Sequence, residues 1–376
     1  MHRIIVFAIP AFALCMAIEW LYGLVKGRNT YRLNDALSSL SQGLLSQATA
    51  VCTQLFQVGL YALIYPHVAL SADGPFWDGW IGWVLAIVLF DFCDYWLHRV
   101  SHESAIFWAA HVVHHQSQRF NLSTALRQES AYLLLGWIFY LPMAVAGVPP
   151  ELFGIAGLVV LVYQFWIHTE HIGSLGWLDR VFSTPSNHRV HHAVNARYLD
   201  KNYGAIFVLW DRMFGTFEPE SECCVFGTLT PLNSWNPLYA VGGVYAQLLR
   251  RAWATPRWGD KLRVLFKSAG WQAPGEPAYA AAVDAMTVEP YDPPASPAQR
   301  GLASLLFVAV VLSTCFFLWQ ADELGGAADW LCAAGVAGGL WAVGALMAGR
   351  LAPWRGGLLG AAMVVLSVAG AGGFAY

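Results

Sequence analysis

The stretch Trp80-Ile-Gly-Trp-Val-Leu-Ala-Ile-Val-Leu-Phe-Asp-Phe-Cys-Asp-Tyr-Trp-Leu-His98-Arg-Val-Ser-His102 begins as a membrane span and ends as a pair of metal-ligand side chains. From Gly79 to Leu97 it is apolar apart from Asp78's successors Asp91 and Asp94, and about 20 such residues cross a bilayer as a helix. His98 and His102 are four residues apart, a spacing that stacks two imidazoles on one helix face. His111, His114 and His115 follow as HxxHH, His168 and His171 as HxxH, and His188, His191 and His192 as a second HxxHH. A neutral imidazole offers a metal one good lone pair, and a zinc ion saturates at four ligands. Ten imidazoles gathered in one place therefore imply two metal ions.

The rest of the chain agrees with a membrane setting. Of 376 residues 57% are hydrophobic and 12% charged, about half the charge of a soluble domain. Apolar runs at Ile4–Val25, Leu44–Tyr65, Gly79–Leu97, Ala131–Val148, Glu151–Ile167, Leu302–Trp319, Trp330–Met347 and Gly356–Phe374 are the expected spans. The fourth and fifth are short and joined by Gly147-Val-Pro-Pro-Glu151, so they are expected as a hairpin that crosses only in part. Glu19 and the length of the first run argue for a retained anchor over a signal peptide. With basic residues on the cytoplasmic side, every lysine and arginine except Arg3 falls inside, and so do all four histidine clusters. The expected fold is an all-α integral membrane protein, a helical bundle with a histidine-rich dimetal site on its cytoplasmic face (the inner membrane in a bacterium). Its expected divisions are N-terminal spans at 1–78, a catalytic core at 79–235, a proline-rich cytoplasmic connector at 236–300, and a three-span segment at 301–376. Seven cysteines without CxxC point to free thiols. No basic run suggests nucleic acid.

The donor set narrows the chemistry. A zinc hydrolase would carry HExxH, but Ile106 stands where the second histidine would be. Carboxylate-bridged di-iron bundles carry paired ExxH motifs, and none of the clusters has that form. An all-nitrogen pair of irons at a membrane face remains, suited to using O2 against an unactivated lipid C–H bond. Ligating histidines pass their other N–H to a carboxylate or carbonyl. Asp94, one turn before His98, is the first candidate, with Glu170 next, and Asp91, Glu103, Glu129 and Asp211 behind them. Asn187 is a candidate to hold a water on the metal. A histidine-cage transporter is the alternative from another class, although the span centres carry no histidine ladder.

The block Phe90–His102 with Trp108-Ala-Ala-His-Val-Val-His-His115 resembles the fatty acid hydroxylase/sterol desaturase superfamily. The runs Phe120-Asn-Leu-Ser-Thr-Ala-Leu-Arg-Gln128, Tyr163-Gln-Phe-Trp-Ile-His-Thr-Glu170, Thr184-Pro-Ser-Asn-His-Arg-Val-His-His192, Asp200-Lys-Asn-Tyr203, Trp210–Glu218 and Phe226–Asn233 are similar to its alkylglycerol monooxygenase branch. The resemblance spans roughly residues 30–270. It implies a membrane non-haem di-iron oxygenase that hydroxylates an ether lipid beside the ether oxygen, so that the hemiacetal collapses to a fatty aldehyde and a glycerol derivative. It implies as iron ligands His98, His102, His111, His114, His115, His188, His191 and His192, with His168 a further match and His171 corresponding to a late pair in other hydroxylases. It also implies O2, a membrane lipid substrate and an external electron donor, tetrahydrobiopterin in the animal enzyme, for which Asn121, Arg127 and Gln128 are the positions to examine. A desaturase or a sterol or fatty-acid hydroxylase of the same superfamily is the alternative within enzymes.

Overall fold

The computed structural model describes residues 2–53, 56, 58–70, 75–276 and 289–372. Those residues are helices and irregular loops, with two isolated β-bridges, Phe182 to Phe207 and Ala193 to Phe226, and no longer strand. Among the described residues, five helices are long and apolar enough to cross a membrane. They are α1 (His2–Val25), α4 (Trp80–Glu103), α14 (Pro297–Gln320), α15 (Ala327–Met347) and α16 (Pro353–Gly372).

The second expected span is broken. Instead of one helix over Leu44–Tyr65 there are α2 (Leu33–Cys52) and α3 (Gly59–Val68). The reason lies in α2's side chains. Ser38, Ser39, Ser41, Gln42 and Ser46 are buried, and hydroxyls bond back to carbonyls, as in Ser41 to Leu37 and Thr49 to Leu45. A helix this polar belongs inside protein, not in lipid. Gly43 permits the closest approach: a Cβ there would lie 2.4 Å from the Leu126 carbonyl oxygen.

The expected hairpin is present in short pieces. Between α4 and α9 (Pro150–Trp166) the chain forms α5 (Ala105–His115), α6 (Leu122–Ala125), α7 (Tyr132–Gly136) and α8 (Leu141–Val145). The apolar segments 134–145 and Pro150–Trp166 are both under 18 residues. α9 packs on α4 through Gly157, whose missing side chain admits the Phe90 ring.

Two features place the histidines. α4 does not stop at its apolar end but continues to Glu103, so His98 and His102 ride on the span itself. The single extended residue Ser104 (φ −131°, ψ 126°) then turns the chain into α5. α10 (Pro185–His192) lies across from α5, followed by α11 (Leu209–Phe214). The connector expected at 236–300 is more than a linker. It contains α12 (Pro237–Ala254) and α13 (Trp258–Phe266), and Leu248, Ala252 and Val264 bury Ala105 and Ala109 of α5. α14, α15 and α16 form a tight bundle, into which α2 packs Leu44, Leu45, Ala48 and Val51. A Cβ on Gly335 would sit 2.7 Å from both the Met363 carbonyl and the Ser367 amide, and one on Gly360 would meet Leu306 at 2.2 Å. Small residues let these helices touch along their backbones, the usual basis of packing in lipid.

Candidate metal centre

Nine imidazoles from four stretches of chain meet in two groups. His98, His102, His111, His115 and His191 form one, and His114, His168, His188 and His192 the other, with the nitrogens of each group within 4.8 Å of one another. Each HxxHH motif is shared out. α5 gives its i, i+4 pair, His111 and His115, to the first group and His114 to the second. α10 does the reverse, giving His188 and His192 to the second and His191 to the first. α4 completes the first group with His98 and His102. The second is completed by His168, just beyond the end of α9.

The hydrogen bonds fix which nitrogen faces inward. His98 Nδ1 donates to the Tyr203 carbonyl at 2.7 Å, His114 Nδ1 to the Arg127 carbonyl at 3.0 Å, His168 Nδ1 to the Gln164 carbonyl at 2.7 Å, and His191 Nδ1 to the Lys201 carbonyl at 3.0 Å. His111 Nδ1 donates to Glu129 Oε1 at 2.6 Å. A carbonyl or carboxylate only accepts, so these Nδ1 atoms carry the proton and each Nε2 keeps its lone pair. Those lone pairs face one another: His98 Nε2 lies 3.0 Å from His111 Nε2, and His168 Nε2 3.3 Å from His114 Nε2. Two lone pairs at that distance repel unless a cation sits between them. The buried Nε2 atoms of His102 and His191 have no hydrogen-bond partner. A metal bound at about 2.1 Å by imidazoles at right angles would set neighbouring nitrogens ~3 Å apart, which matches. The donor chemistry thus fits two transition-metal ions, and imidazole suits Fe, Zn, Cu and Ni.

Burial prepares the ligands. It holds His111, His115, His168, His188, His191 and His192 well below the ordinary histidine value, with neighbouring imidazoles adding to the effect. His114 is lowered to about 4, again chiefly by burial. All are neutral at pH 7 and available to a metal.

The partners of the histidines differ from the expected ones. Asp94 accepts the Tyr140 hydroxyl at 2.7 Å and reaches no histidine, because His98 turns its Nδ1 toward Tyr203. Glu170 pairs with Arg28 at 3.1 Å. Asn187 donates its amide N–H groups to the Asp179 and Phe182 carbonyls. His171 joins neither group. Its ring packs edge-on against Tyr22 at 5.2 Å, since α9 ends at Trp166 and helical spacing no longer relates it to His168. Asn121 caps α6 and bonds the Thr30 carbonyl. Arg127 is buried, bonding the Val113 carbonyl, Ser38 and Gln116, and Gln128 bonds the Ala125 carbonyl. These three hold the scaffold together.

Other residues matter through the loops they pin. Asp91 accepts from the Ile206 and Phe207 amides and Trp210 Nε1, at 2.6, 3.1 and 2.8 Å. Asp211 accepts from the Tyr203 and Gly204 amides, both at 2.8 Å. Together they fix the loop that carries the Tyr203 and Lys201 carbonyls. Asp200 and Asn202 in it are left-handed, at φ 59° and 55°.

Comparison with known proteins agrees with this geometry. A fatty acid hydroxylase family model matches residues 83–216, the segment with every histidine of the two groups. The chain is 40% identical over 271 residues to a human alkylglycerol monooxygenase, covering 72% of this chain and 59% of that one. To the zebrafish (Danio rerio) alkylglycerol monooxygenase it is 37% identical over 305 residues, 80% of this chain and 68% of the relative. An ornithine lipid hydroxylase of Rhizobium tropici is 32% identical over 203 residues, 50% of this chain and 58% of its own length. The chain spans about three fifths of the length of the human relative. No solved structure matches it.

Proposed function

This chain belongs to the fatty acid hydroxylase family, and on that footing we propose that it is a multi-pass membrane monooxygenase with two irons that opens the ether bond of alkylglycerol-type lipids. The observation that carries the reading is the convergence of nine inward-facing imidazole lone pairs on two adjacent points at the end of a membrane span. The names of the relatives supply the substrate class.

Bound there, two irons would supply activation of O2 for attack on an unactivated C–H bond. One oxygen atom enters the carbon beside the ether oxygen, the other leaves as water, and an external donor provides two electrons; tetrahydrobiopterin is the proposed donor. The resulting hemiacetal parts into a fatty aldehyde and a glycerol derivative. The chain's own contribution is positioning. His98, His102, His111, His115 and His191 would hold one ion, and His114, His168, His188 and His192 the other. Outward hydrogen bonds to Tyr203, Glu129, Arg127, Gln164 and Lys201 keep each ring in its tautomer. A long lipid reaches the centre because α4 carries its ligands directly from the apolar span.

Residues 79–235 are proposed as the catalytic core, 1–78 and 301–376 as the flanking membrane segments, and 236–300 as a cover for α5 on the cytoplasmic side, where the basic residues gather. Purified chain should contain two irons by elemental analysis. With an alkylglycerol, reductant and O2 it should release a fatty aldehyde. Iron without aldehyde would move the substrate toward other lipids, in line with the ornithine lipid hydroxylase relative, and a product lighter by two hydrogens would mark a desaturase. Absence of any bound metal would defeat the reading.

A further inference from the structure

α1 is the least buried of the five long apolar helices, yet it carries a buried carboxylate. Glu19 is 7% exposed and accepts three hydrogen bonds. Thr169 Oγ1 donates to Oε1 at 2.5 Å, the Leu122 amide to Oε2 at 2.8 Å, and the Tyr31 hydroxyl to Oε2 at 2.5 Å. A carboxylate within an apolar span is costly and is kept where it has partners and a task.

The partners indicate the task. Thr169 is the residue after His168, in the loop where α9 has already ended. His168 therefore lies past the helix, tied back to it through the Gln164 carbonyl, and needs a further restraint on its far side. Thr169 supplies it from two sides. Its hydroxyl is held by Glu19, and its carbonyl accepts Arg189 at 2.9 Å. Arg189 belongs to α10, between His188 and His191, and its guanidinium is clamped by Glu220 at 2.7 and 2.6 Å. A continuous line of bonds thus runs from the first membrane helix through the His168 loop to α10.

We propose that Glu19 is a positioning residue for the second metal group: through Thr169 it sets the place of His168, so that α1 is part of the metal scaffold as well as an anchor. The inference rests on the metal-binding reading above. Thr169→Val removes the hydroxyl at nearly constant volume and leaves Glu19 its two other donors, so it tests the link with the least risk to folding. Thr169→Ser restores it. Glu19→Ala is the harsher companion.

The test is made on the full chain in lipid nanodiscs loaded with Co2+, reading the ligand-field absorption and the rate of metal loss to a chelator. In the Thr169→Val and Glu19→Ala proteins one of two release phases should quicken about tenfold or more, the scale of a lost outer partner to a ligand. The other phase should change less than threefold, one set of bands should shift, and Thr169→Ser should behave as wild type. Unchanged release and bands in Thr169→Val, or equal acceleration of both phases, would overturn the inference while leaving the metal reading intact. A wild-type chain that takes up no Co2+ would remove the metal reading, and this inference with it.

Discussion

The histidine-bearing core and the C-terminal bundle solve opposite problems with opposite means. In α14–α16 the helices are long and apolar, and they are held by close approaches: backbone to backbone at Gly335, and Val310 and Leu306 side chains onto the bare backbone at Gly339 and Gly360. Around the metal groups the helices other than α4 are short, α10 having only eight residues, and buried polar side chains are held by hydrogen bonds from irregular loops. The bundle needs cohesion in a solvent as apolar as itself, which close van der Waals contact supplies. The core needs nine rings aimed to within a fraction of an ångström, and directional bonds to fixed acceptors supply that.

The contrast can be pressed hardest at the ligands. His188→Ala should empty the second group and lower turnover by about a thousandfold or more, ~4 kcal/mol in the barrier, checked by aldehyde formation and metal content. A loss under tenfold would mean that the groups are not catalytic.

Acid is the next lever. His114 in the folded chain is lowered to about 4, against about 6.5 when unfolded. Between those values the unfolded chain takes up a proton that the folded one refuses, so stability of the metal-free protein is full above pH 6.5 and falls as pH drops toward 4. His114 alone accounts for about 3 kcal/mol at ~1.4 per pH unit. Unfolding of the metal-free protein followed against pH should show the loss beginning in the core, since the bundle has no histidine. A midpoint that stays level from pH 7 to 5 would contradict the burial of these rings.

Glu129→Gln should weaken metal affinity about 10- to 100-fold by replacing the carboxyl group that lies 2.6 Å from His111 Nδ1; metal-buffer titration reads it. Gly335→Ala should do the converse. It forces apart the backbones of α15 and α16, costing ~1–3 kcal/mol as a lowered unfolding midpoint in detergent, with metal content unchanged. If it also strips metal, the two regions are one cooperative unit and the contrast fails. Smallest of all, His171→Ala should leave two metals per chain, because that ring faces Tyr22.

Much of this was legible in the residues themselves. The spans of α1, α4 and the C-terminal bundle follow from hydropathy, and the metal chemistry follows from imidazoles at helical spacing. The sharing of each HxxHH between two groups does not. Spacings of three and four put all three rings on one broad face, and only the helix crossing it decides which ring goes where. Helical spacing also misplaced His171, since it assumes a helix that ends at Trp166. Carboxylate partners leave a trace in sequence, although nearness along the chain favours Asp94 over the actual partner of His111, Glu129. Carbonyl partners leave none, because every residue has a carbonyl. The break between α2 and α3 follows from a serine-rich face whose burial is a tertiary fact.

The loop around Asp200 and Asn202 carries a consequence for how such a chain can vary. Two left-handed residues bracket it, alternating with Lys201 and Tyr203, whose oxygens meet His191 and His98. A substitution that keeps both left-handed conformations, and the Asn202 side-chain bonds to Asn187 and Glu218, leaves both oxygens in register. Insertion or deletion of one residue would present an amide hydrogen where an oxygen belongs, and both rings would have to move their proton to the metal-facing nitrogen. Length, beside the identity of the left-handed pair, is what mutation cannot touch in this loop, and libraries of single-residue deletions should find it among the least forgiving places in the molecule.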